Sequence, residues 1–412
     1  MKRVVITGIG AVSPVGTGKN NYWSALAEGR NGIDFISSFD TEKFKVKIAG
    51  EVKDFNPLDW FDKKEARHTD RVIQFADAAS RLAIEDAEFD TVSADHERFG
   101  ICIGSGQGGI GTAVENIYTL ADKGSDRVSP FSVPMMIVNM PSAYVAIRHN
   151  AKGPNFSVSS ACATSLHSIG EAYHMIVRGD ADYMLAGGAE AAAIPFGVAA
   201  FGALKALSIS TEPATACRPF DADRNGFVLG EGAGVVMLED YENAKARGAH
   251  IYAEIKGYGA TCDAYHITAP DPSGDGAYRA MKLAVERAGW KPEEIDLINA
   301  HGTSTHFNDS METAAIKRLM GEEASKKVLI QATKSMIGHA LGASGVLGLI
   351  ASLMAVEKGV VHPTINYTTP DPECDLNYVP NKAINAAAEK VLVNAFAFGG
   401  HNASIALEKC GQ

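Results

Sequence analysis

Short apolar runs, most of which end in glycine or alanine, recur along this chain and alternate with amphipathic segments. The runs are rich in aliphatic residues, as is typical of strands buried on both faces, and they lie at residues 4–8, 99–104, 183–187, 235–238, 251–257, 295–300 and 391–396. Segments with apolar residues three or four positions apart predict helices over 71–87, 163–177, 278–288, 311–320 and 346–357. This alternation predicts an α/β protein whose sheets are covered by helices.

The two halves of the chain show a weak internal similarity. Residues 4–10 and 251–259 each open a half with a strand-like segment, and residues 100–106 and 298–304 each lead from a strand into a Gly/Ser turn. Repeated patterns of this kind indicate a duplicated structural unit. We therefore predict two related α/β halves.

The division between the halves is predicted near residue 250. Residues 1–250 would form an N-terminal half, and residues 251–412 would form a C-terminal half. The stretch from 104 to 153 is rich in Pro, Met and Ser, so we predict that it is a cap inserted into the first half.

Composition and charge exclude several classes of protein. The chain of 412 residues is 46% hydrophobic, as in ordinary globular proteins, and its net charge of −11 argues against a nucleic-acid partner. Its six cysteines show no C-x-x-C spacing, so we expect a reducing compartment and no metal site. The longest apolar stretch, 346–356, is about half of a membrane span, and the N-terminus enters a strand without a signal-peptide pattern. We therefore expect a cytoplasmic protein with no membrane partner.

Cys162 is the first candidate for chemistry, because it stands where an extended segment of small residues passes into a helical pattern. Backbone N–H groups and the dipole at a helix N-terminus favour the thiolate, which is the nucleophilic form of cysteine. The N–H of Cys162 is also a natural donor for an oxyanion hole. A second donor is expected from the glycine-containing turn at 396–400.

Two histidines and a lysine follow at predicted strand ends: His301 in NAHGTST (299–305), and Lys334 and His339 in TKSMIGH (333–339). Two Nε–H donors held about 3 Å from an oxygen would stabilise the enolate that forms when a second substrate loses carbon dioxide. Lys334 can orient a histidine or hold a carboxylate. The joint occurrence of these residues with Cys162 predicts covalent acyl transfer followed by an anion-generating step.

At these residues the chain resembles the elongating β-ketoacyl-acyl carrier protein synthases of the type II group, in the thiolase-like superfamily. The resemblance covers essentially the whole chain. The motifs that carry it are VSSACATS (158–165), FDADRNGFVLGEGAG (220–234), GYGATCDAYHITAP (257–270), NAHGTST, TKSMIGH and NAFAFGGHN (394–402). It implies a five-layered αβαβα fold, a homodimer, and decarboxylative Claisen condensation in fatty acid elongation without a metal or organic cofactor. The substrates would arrive on the phosphopantetheine arm of an acyl carrier protein.

The resemblance also implies a role for individual residues. Cys162 matches the acylated nucleophile, His301 and His339 match the pair that serves decarboxylation, and Lys334 matches a lysine that supports the second histidine. The backbone N–H of Phe398, in a turn with Gly399 and Gly400, matches the second oxyanion donor and a gate. The expected contacts of the pantetheine arm are Thr268, Thr303 and Thr305. The expected docking patch for the acidic carrier protein consists of Lys63, Lys64, Arg67 and Arg127.

Five positions depart from the family pattern. His306 follows the TST motif where proline is usual, and Gly348 stands where a glutamate commonly pairs the lysine, which leaves the partner of Lys334 open. Gln107 occupies a normally apolar position at the end of the acyl pocket. The other two departures are Ala397 for a frequent glycine and His401 for a frequent threonine.

Three alternatives stay open at this point. A ketosynthase of a type II polyketide or polyene pathway shares the same site and differs in its pocket, and a heterodimer with a related subunit is compatible with either reading. A degradative thiolase would be expected to supply a second cysteine as base in place of these histidines. A catalytically silent partner subunit should have lost the nucleophile, whereas Cys162 is present.

Overall fold

A computed structural model describes residues 2–410. The strands are β1 (Val4–Ser13), β2 (Gly16–Thr17), β3 (Asp34–Phe35), β4 (Ile48–Ala49), β5 (Phe99–Gly104), β6 (Asn155–Phe156), β7 (Tyr183–Glu190), β8 (Gly232–Asp240), β9 (Ala253–Cys262), β10 (Leu297–Asn299), β11 (Leu329–Gln331), β12 (Val360–Val361), β13 (Ile384–Asn385), β14 (Lys390–Ala397) and β15 (His401–Glu408).

The helices pack on both faces of the main sheet. They are α1 (Lys19–Ala27), α2 (Lys63–Arg67), α3 (Arg71–Asp86), α4 (Ile110–Lys123), α5 (Ser132–Met136), α6 (Met140–His149), α7 (Thr164–Arg178), α8 (Pro195–Ala203), α9 (Tyr241–Ala246), α10 (Asp275–Ala288), α11 (His306–Ser325), α12 (Lys334–Ile337) and α13 (Ser344–Lys358). Each predicted strand and helix corresponds to one of these elements. The continuous apolar runs reflect burial on both faces, since all ten residues of β1 are buried.

The two halves have the same strand order. In the first half the order is β6-β5-β7-β8-β1, and in the second it is β11-β10-β14-β15-β9. In both halves the strands therefore lie in the order third, second, fourth, fifth, first. The similar segments at 4–10 and 251–259 fall on the two first strands, and those at 100–106 and 298–304 begin on the two second strands. This repeated topology confirms the predicted duplicated α/β fold.

The first strands of the two halves join the halves into one sheet. β1 pairs antiparallel with β9 through Val5–Glu254 and Ile6–Ala253, which makes a single eleven-stranded sheet of residues 4–408. The predicted division near residue 250 lies between α9 and β9, and that boundary stays a prediction.

Five layers follow from the helix positions. α3 and α6 pack on the outer face of the first half, α10 and α11 lie on the outer side of the second half, and α7 and α13 lie between the two halves of the sheet. All residues of α13 from Ser344 to Val356 are buried. The segment Leu341–Lys358 is long and apolar enough to cross a membrane, but 89% of it is buried inside the protein. It is therefore the central core helix, and the expected cytoplasmic location stays a prediction.

The predicted cap region contains α4, α5 and α6. α6 packs on β5 and α3, whereas α4 leaves Ile117, Tyr118 and Leu120 exposed. β6, an edge strand of the first half, lies beside α6. Apolar side chains and an unpaired strand edge therefore share this side of the molecule.

Candidate active site

Cys162 lies in a single turn of 3-10 helix, Ala161–Ala163, that leads directly into α7. Ala161 has a positive φ of 49°, so the chain bends sharply just before the cysteine. The side chain is only 7% exposed. The structure therefore has the predicted junction of an extended segment with a helix N-terminus.

The environment of the sulfur is less favourable to a thiolate than the sequence suggested. Burial raises the pKa of Cys162 to about 12, although the charge of Lys334 and the N–H groups of Phe398 and Cys162 act in the opposite direction. The backbone N–H groups favour the thiolate, as expected, but they supply only part of the activation because burial outweighs them. A base must take the proton as the thiol attacks.

His339 is placed to be that base. Its Nε2 lies 3.0 Å from Cys162 Sγ, and its Nδ1 lies 2.8 Å from Ser344 Oγ at the start of α13. Burial and the charge of Lys334 hold the pKa of His339 well below its ordinary value, so the ring is neutral. With its proton on Nδ1, the ring donates to Ser344 and accepts the thiol proton on Nε2. The sequence predicts a role for His339 in decarboxylation, and this contact adds a role as the base beside the sulfur.

His301 lies beside His339, with ring centroids 5.5 Å apart and planes at 83°. Lys334 Nζ donates to the carbonyl oxygen of His301 at 2.6 Å and lies 3.4 Å from its Nδ1. The lysine was expected to support the second histidine, His339, and the structure places it against the first. His301 follows β10 and Lys334 follows β11. The two residues meet because these strands are parallel neighbours whose carboxyl ends lie at the same edge of the sheet.

Glu312 on α11 completes this cluster and was missed in the sequence. Its carboxylate accepts the N–H groups of His301 at 2.8 Å and Gly302 at 2.9 Å. Burial lowers the pKa of Lys334 to about 8, and the negative charge of Glu312 opposes that shift. Burial likewise raises the pKa of Glu312 to about 7. Glu312 is therefore the carboxylate whose charge acts most strongly on the lysine, and Asp309 adds a smaller effect in the same direction.

Gly348 does not leave a gap beside Lys334. A Cβ atom at Gly348 would lie 2.5 Å from Asn299 Oδ1, so no side chain fits there without a shift. A signal for Glu312 did exist in the sequence. Helix α11 begins at His306 rather than at the predicted residue 311, and the earlier start puts two buried carboxylates, Asp309 and Glu312, on one face.

The turn Phe398–Gly400 faces Cys162 from the other half. The backbone N–H groups of Phe398 and of Cys162 both act as donors to the sulfur. Gly399 and Gly400 have φ values of 80° and 74°, which favour glycine, and Gly399 N donates to Ile267 O at 2.8 Å. The turn therefore supplies a second backbone donor at the position where the sequence predicted one.

A cavity of about 430 Å³ opens onto Cys162, His301 and His339. Thr268, Thr303 and Thr305 line it, and the hydroxyls of Thr303 and Thr305 are 2.9 Å apart. Lys205, which is exposed and lines the same cavity, was missed because it stands alone in the sequence. This space suits a narrow arm with hydrogen-bonding groups, such as pantetheine.

His306 also lines the cavity, close to two carboxylates. Ligand-capable atoms of His306, Asp371 and Glu373 lie within 4.8 Å of one another. Arg224 donates to Asp371 at 2.5 Å, however, so a guanidinium already neutralises that carboxylate. We therefore do not assign a metal site to His306, Asp371 and Glu373.

The other predicted residues lie outside the cavity. Gln107 is half-buried; its backbone N–H donates to Glu190 Oε1 at 3.1 Å, and its side chain is not among the groups that line the cavity. The four predicted docking residues are all exposed: Lys63, Lys64 and Arg67 on α2, and Arg127 in the turn Ser125–Arg127. The His68 and Phe131 rings stack at 3.9 Å and so connect these two segments.

Taken together, the site offers a buried thiol with a neutral base, two backbone donors from separate segments, and a second neutral histidine beside a lysine. Such a set can accept an acyl group on sulfur and can stabilise an anion that forms nearby.

Comparisons with known proteins agree with this arrangement. Residues 1–244 match the model of the β-ketoacyl synthase N-terminal domain, and residues 252–368 match that of the C-terminal domain. The chain is 50% identical over 408 residues to 3-oxoacyl-[acyl-carrier-protein] synthase 2 of Staphylococcus aureus (strain COL), covering 99% of this chain and 98% of that one.

Two solved structures are also similar over the whole length of both chains. The ishigamide ketosynthase/chain length factor is 38% identical with a TM-score of 0.93. A type II polyketide ketosynthase solved in complex with its acyl-carrier protein is 34% identical with a TM-score of 0.91. With both domain models matched and half of its residues shared with a full-length relative, this chain belongs to the β-ketoacyl synthase family.

Proposed function

We propose that this protein is a 3-oxoacyl-[acyl-carrier-protein] synthase that lengthens a carrier-bound acyl chain by two carbons. The observation that carries the proposal is the 3.0 Å contact of Cys162 Sγ with His339 Nε2, beside His301 and at the base of the cavity. A buried thiol with this base, together with a second neutral histidine, suits both half-reactions of a decarboxylative condensation.

The first half-reaction loads the enzyme. Cys162 Sγ attacks the thioester carbonyl of the acyl-carrier protein while His339 takes the thiol proton. The N–H groups of Cys162 and Phe398 face the sulfur, and there they would hold the developing oxyanion. The carrier thiol leaves with the proton, and the acyl group stays on Cys162.

The second half-reaction forms the carbon–carbon bond. Malonyl-carrier protein loses carbon dioxide, and its enolate oxygen would lie between His301 and His339. His301 would donate through Nε2, and His339 would do so in its other tautomer, with its proton on Nε2 and Ser344 Oγ donating to Nδ1. The enolate carbon attacks the Cys162 thioester, and the sulfur departs as a thiolate that takes up a proton from water in the cavity. Lys334 holds His301 by its carbonyl oxygen and by Nδ1, so it fixes the direction of that donor.

The substrate carrier is proposed from the relatives and from surface charge. One similar structure contains an acyl-carrier protein bound to its ketosynthase. Lys63, Lys64 and Arg67 form an exposed basic helix on a protein with a net charge of −11, and Lys205 lies at the cavity. The positive charges of α2 and Lys205 would attract an acidic carrier protein to this face of the enzyme.

The pathway is proposed to be fatty acid elongation rather than polyketide synthesis. Identity to a 3-oxoacyl-[acyl-carrier-protein] synthase is 50%, whereas it is 38% to the ishigamide ketosynthase/chain length factor and 34% to the type II polyketide ketosynthase. The polyketide alternative is supported by Gln107, a polar residue at a position that is normally apolar in the family.

A second copy of the chain is proposed to cover the side that carries β6. Ile117, Tyr118 and Ile147 are 64%, 70% and 77% exposed there, and β6 presents an edge with free backbone groups. Pairing of two β6 edges would bury both features. Ile147→Asp should then yield monomers in sedimentation, and an unchanged dimer would contradict this interface.

The proposed function is tested by mixing the protein with acyl- and malonyl-carrier proteins. We expect release of carbon dioxide and a 3-oxo product two carbons longer than the acyl donor. A protein that is acylated but forms no longer product, or that cleaves 3-oxoacyl thioesters, would overturn the proposal.

A further inference from the structure

The two donors of the oxyanion hole come from different halves of the chain. Cys162 belongs to the turn before α7, and Phe398 belongs to the turn between β14 and β15. An oxyanion hole works only when both donors point at one place, and displacement by about 1 Å can cost on the order of a hundredfold in rate. Something must therefore hold these two turns in register.

His167 on α7 contacts both segments. Its Nδ1 lies 2.6 Å from Ser160 Oγ, in the residue that begins the Cys162 turn. α7 packs on β15, in which Asn402 directly follows His401 and the Phe398 turn, and the backbone of Asn402 lies close enough to the His167 ring to raise its pKa, as a carbonyl oxygen facing a ring nitrogen does. One imidazole thus bridges the first half and the second.

The protonation state of the ring suits this bridge. Burial lowers the pKa of His167 to about 4, so the ring is neutral and has one donor and one acceptor nitrogen. The donor nitrogen serves the Asn402 carbonyl, which leaves Nδ1 to accept the Ser160 hydroxyl. Ser160 is itself anchored, since its N–H donates to Thr164 Oγ1 at 2.9 Å.

His401 fills the space between this bridge and the Phe398 turn. Its ring stands edge-on to His167 at 6.4 Å, and a Cβ atom on Gly399 would lie 3.1 Å from it. Movement of His167 would therefore be passed to the turn by direct packing as well as through Asn402.

We propose that His167 is a positioning residue that sets the distance between the Cys162 and Phe398 backbone donors. The proposal rests on the proposed function, because it concerns the acyl-transfer step of that reaction. It assigns His167 no contact with substrate. Its effect should fall on acylation, which needs both donors, and should spare decarboxylation, which depends on His301 and His339.

The test compares His167→Leu with His167→Gln. Leucine removes both hydrogen bonds, whereas glutamine retains one acceptor and one donor. The matched control is His174→Leu, which lies on the same helix and packs on Tyr258 as His167 does, at 5.5 Å and 6.2 Å, but has no bond to Ser160. Single-turnover acylation of Cys162 and decarboxylation of malonyl-carrier protein are measured separately.

We expect His167→Leu to slow acylation by roughly ten- to a hundredfold with little change in decarboxylation, and His167→Gln to recover much of the loss. Ser160→Ala should act in the same direction, and its effect should not add to that of His167→Leu. Wild-type acylation in both variants, or equal loss of both half-reactions, would overturn the positioning role. A wild-type protein that neither acylates nor decarboxylates would instead refute the proposed function.

Discussion

His339 Nε2 lies 3.0 Å from Cys162 Sγ, whereas His301 makes its contacts with Lys334 and Glu312. The two histidines are therefore not equivalent, although both are neutral and buried. His339 is placed to take part in acylation and in decarboxylation, and His301 in decarboxylation alone. Several outcomes depend on this difference.

Cys162→Ala should abolish the acyl-enzyme and condensation, because no other thiol in residues 2–410 lines the cavity. Decarboxylation of malonyl-carrier protein should persist, since His301 and His339 are unchanged. Alanine fits a turn already flanked by Ala161 and Ala163, so the fold should survive. Mass spectrometry of the intact protein checks acylation, and normal condensation by this variant would refute the nucleophile.

His301→Ala and His339→Ala should both lose decarboxylation by about a hundred- to a thousandfold, on the order of 3–4 kcal/mol, because each loses one oriented donor. Only His339→Ala should also acylate slowly, since it removes the base next to the sulfur. Carbon dioxide release and single-turnover acylation separate the two effects. Equal acylation in both variants would contradict the assigned asymmetry.

The pH dependence of decarboxylation should follow Lys334. Its pKa is lowered to about 8 by burial, so the charge beside His301 is present below pH 8 and is lost as the pH rises through that value. Cys162 is one of the groups that raise the pKa of Lys334, so decarboxylation by Cys162→Ala should decline as the pH rises, at a pH no higher than that of the Lys334 pKa in the wild-type protein. The Cys162→Ala background keeps the nucleophilic thiol from contributing to the profile.

Two variants check this assignment. Lys334→Ala should be slow and should lack the alkaline decline. Glu312→Gln should move the decline to lower pH, because the negative charge of Glu312 raises the pKa of Lys334. An unchanged decline in Lys334→Ala would show that another group titrates.

Charge reversal at Lys64 and Arg67 should raise KM for carrier-bound substrates and should make KM less dependent on salt. The reason is that these charges would act by attracting the acidic carrier protein before it binds. Small thioesters without a carrier should react as before. Both side chains are exposed and make no ion pair within residues 2–410, so folding should be unaffected. Equal losses with both kinds of substrate would place these residues in stability instead.

Gln107→Ile should shift preference toward longer saturated acyl groups, with acylation by short ones retained. The Gln107 N–H and the Gly106 N–H both bond Glu190, whose charge acts on Cys162, so this loop lies close to the nucleophile. The Gln107 side chain does not line the cavity, so this prediction applies to acyl chains long enough to extend beyond the cavity along the loop, where the amide would lose water at a cost on the order of 1–3 kcal/mol. A chain-length series of acyl-carrier thioesters on both proteins is the measurement. Superimposable profiles would remove Gln107 from the pocket.

Much of the fold could be predicted because its strands are buried on both faces. β5 was predicted with its observed bounds, and the start of α3 at Arg71 was also predicted. Short edge strands such as β6 and β11 were not predicted as separate strands, since two or three residues show no periodicity. The start of α11 was missed because its first turns bury polar residues, including Asp309.

The candidate site could be predicted from the residue types in its motifs. The parts of the prediction that were wrong concern contacts between segments that are distant along the chain. Which histidine Lys334 meets depends on how β10 lies beside β11, and no spacing along the chain reveals that. The direction of the Cys162 pKa shift depends on how much water reaches the sulfur. Glu312 accepts backbone N–H groups of His301 and Gly302; its spacing from Asp309 indicates a shared helix face, but no pattern along the chain shows that this face is buried against the end of β10.

The helix between the two halves has a consequence for synthesis of the chain on the ribosome. α7 buries Leu166, Ile169 and Ile176 within the central layer, but α13, which packs against it there, follows about 170 residues later. During translation the apolar inner face of the first half therefore stays exposed to water until α13, which ends at Lys358, has left the ribosome. We expect the first half expressed alone to aggregate or to bind chaperones, and we expect release of the nearly complete chain to be the event that commits the protein to folding.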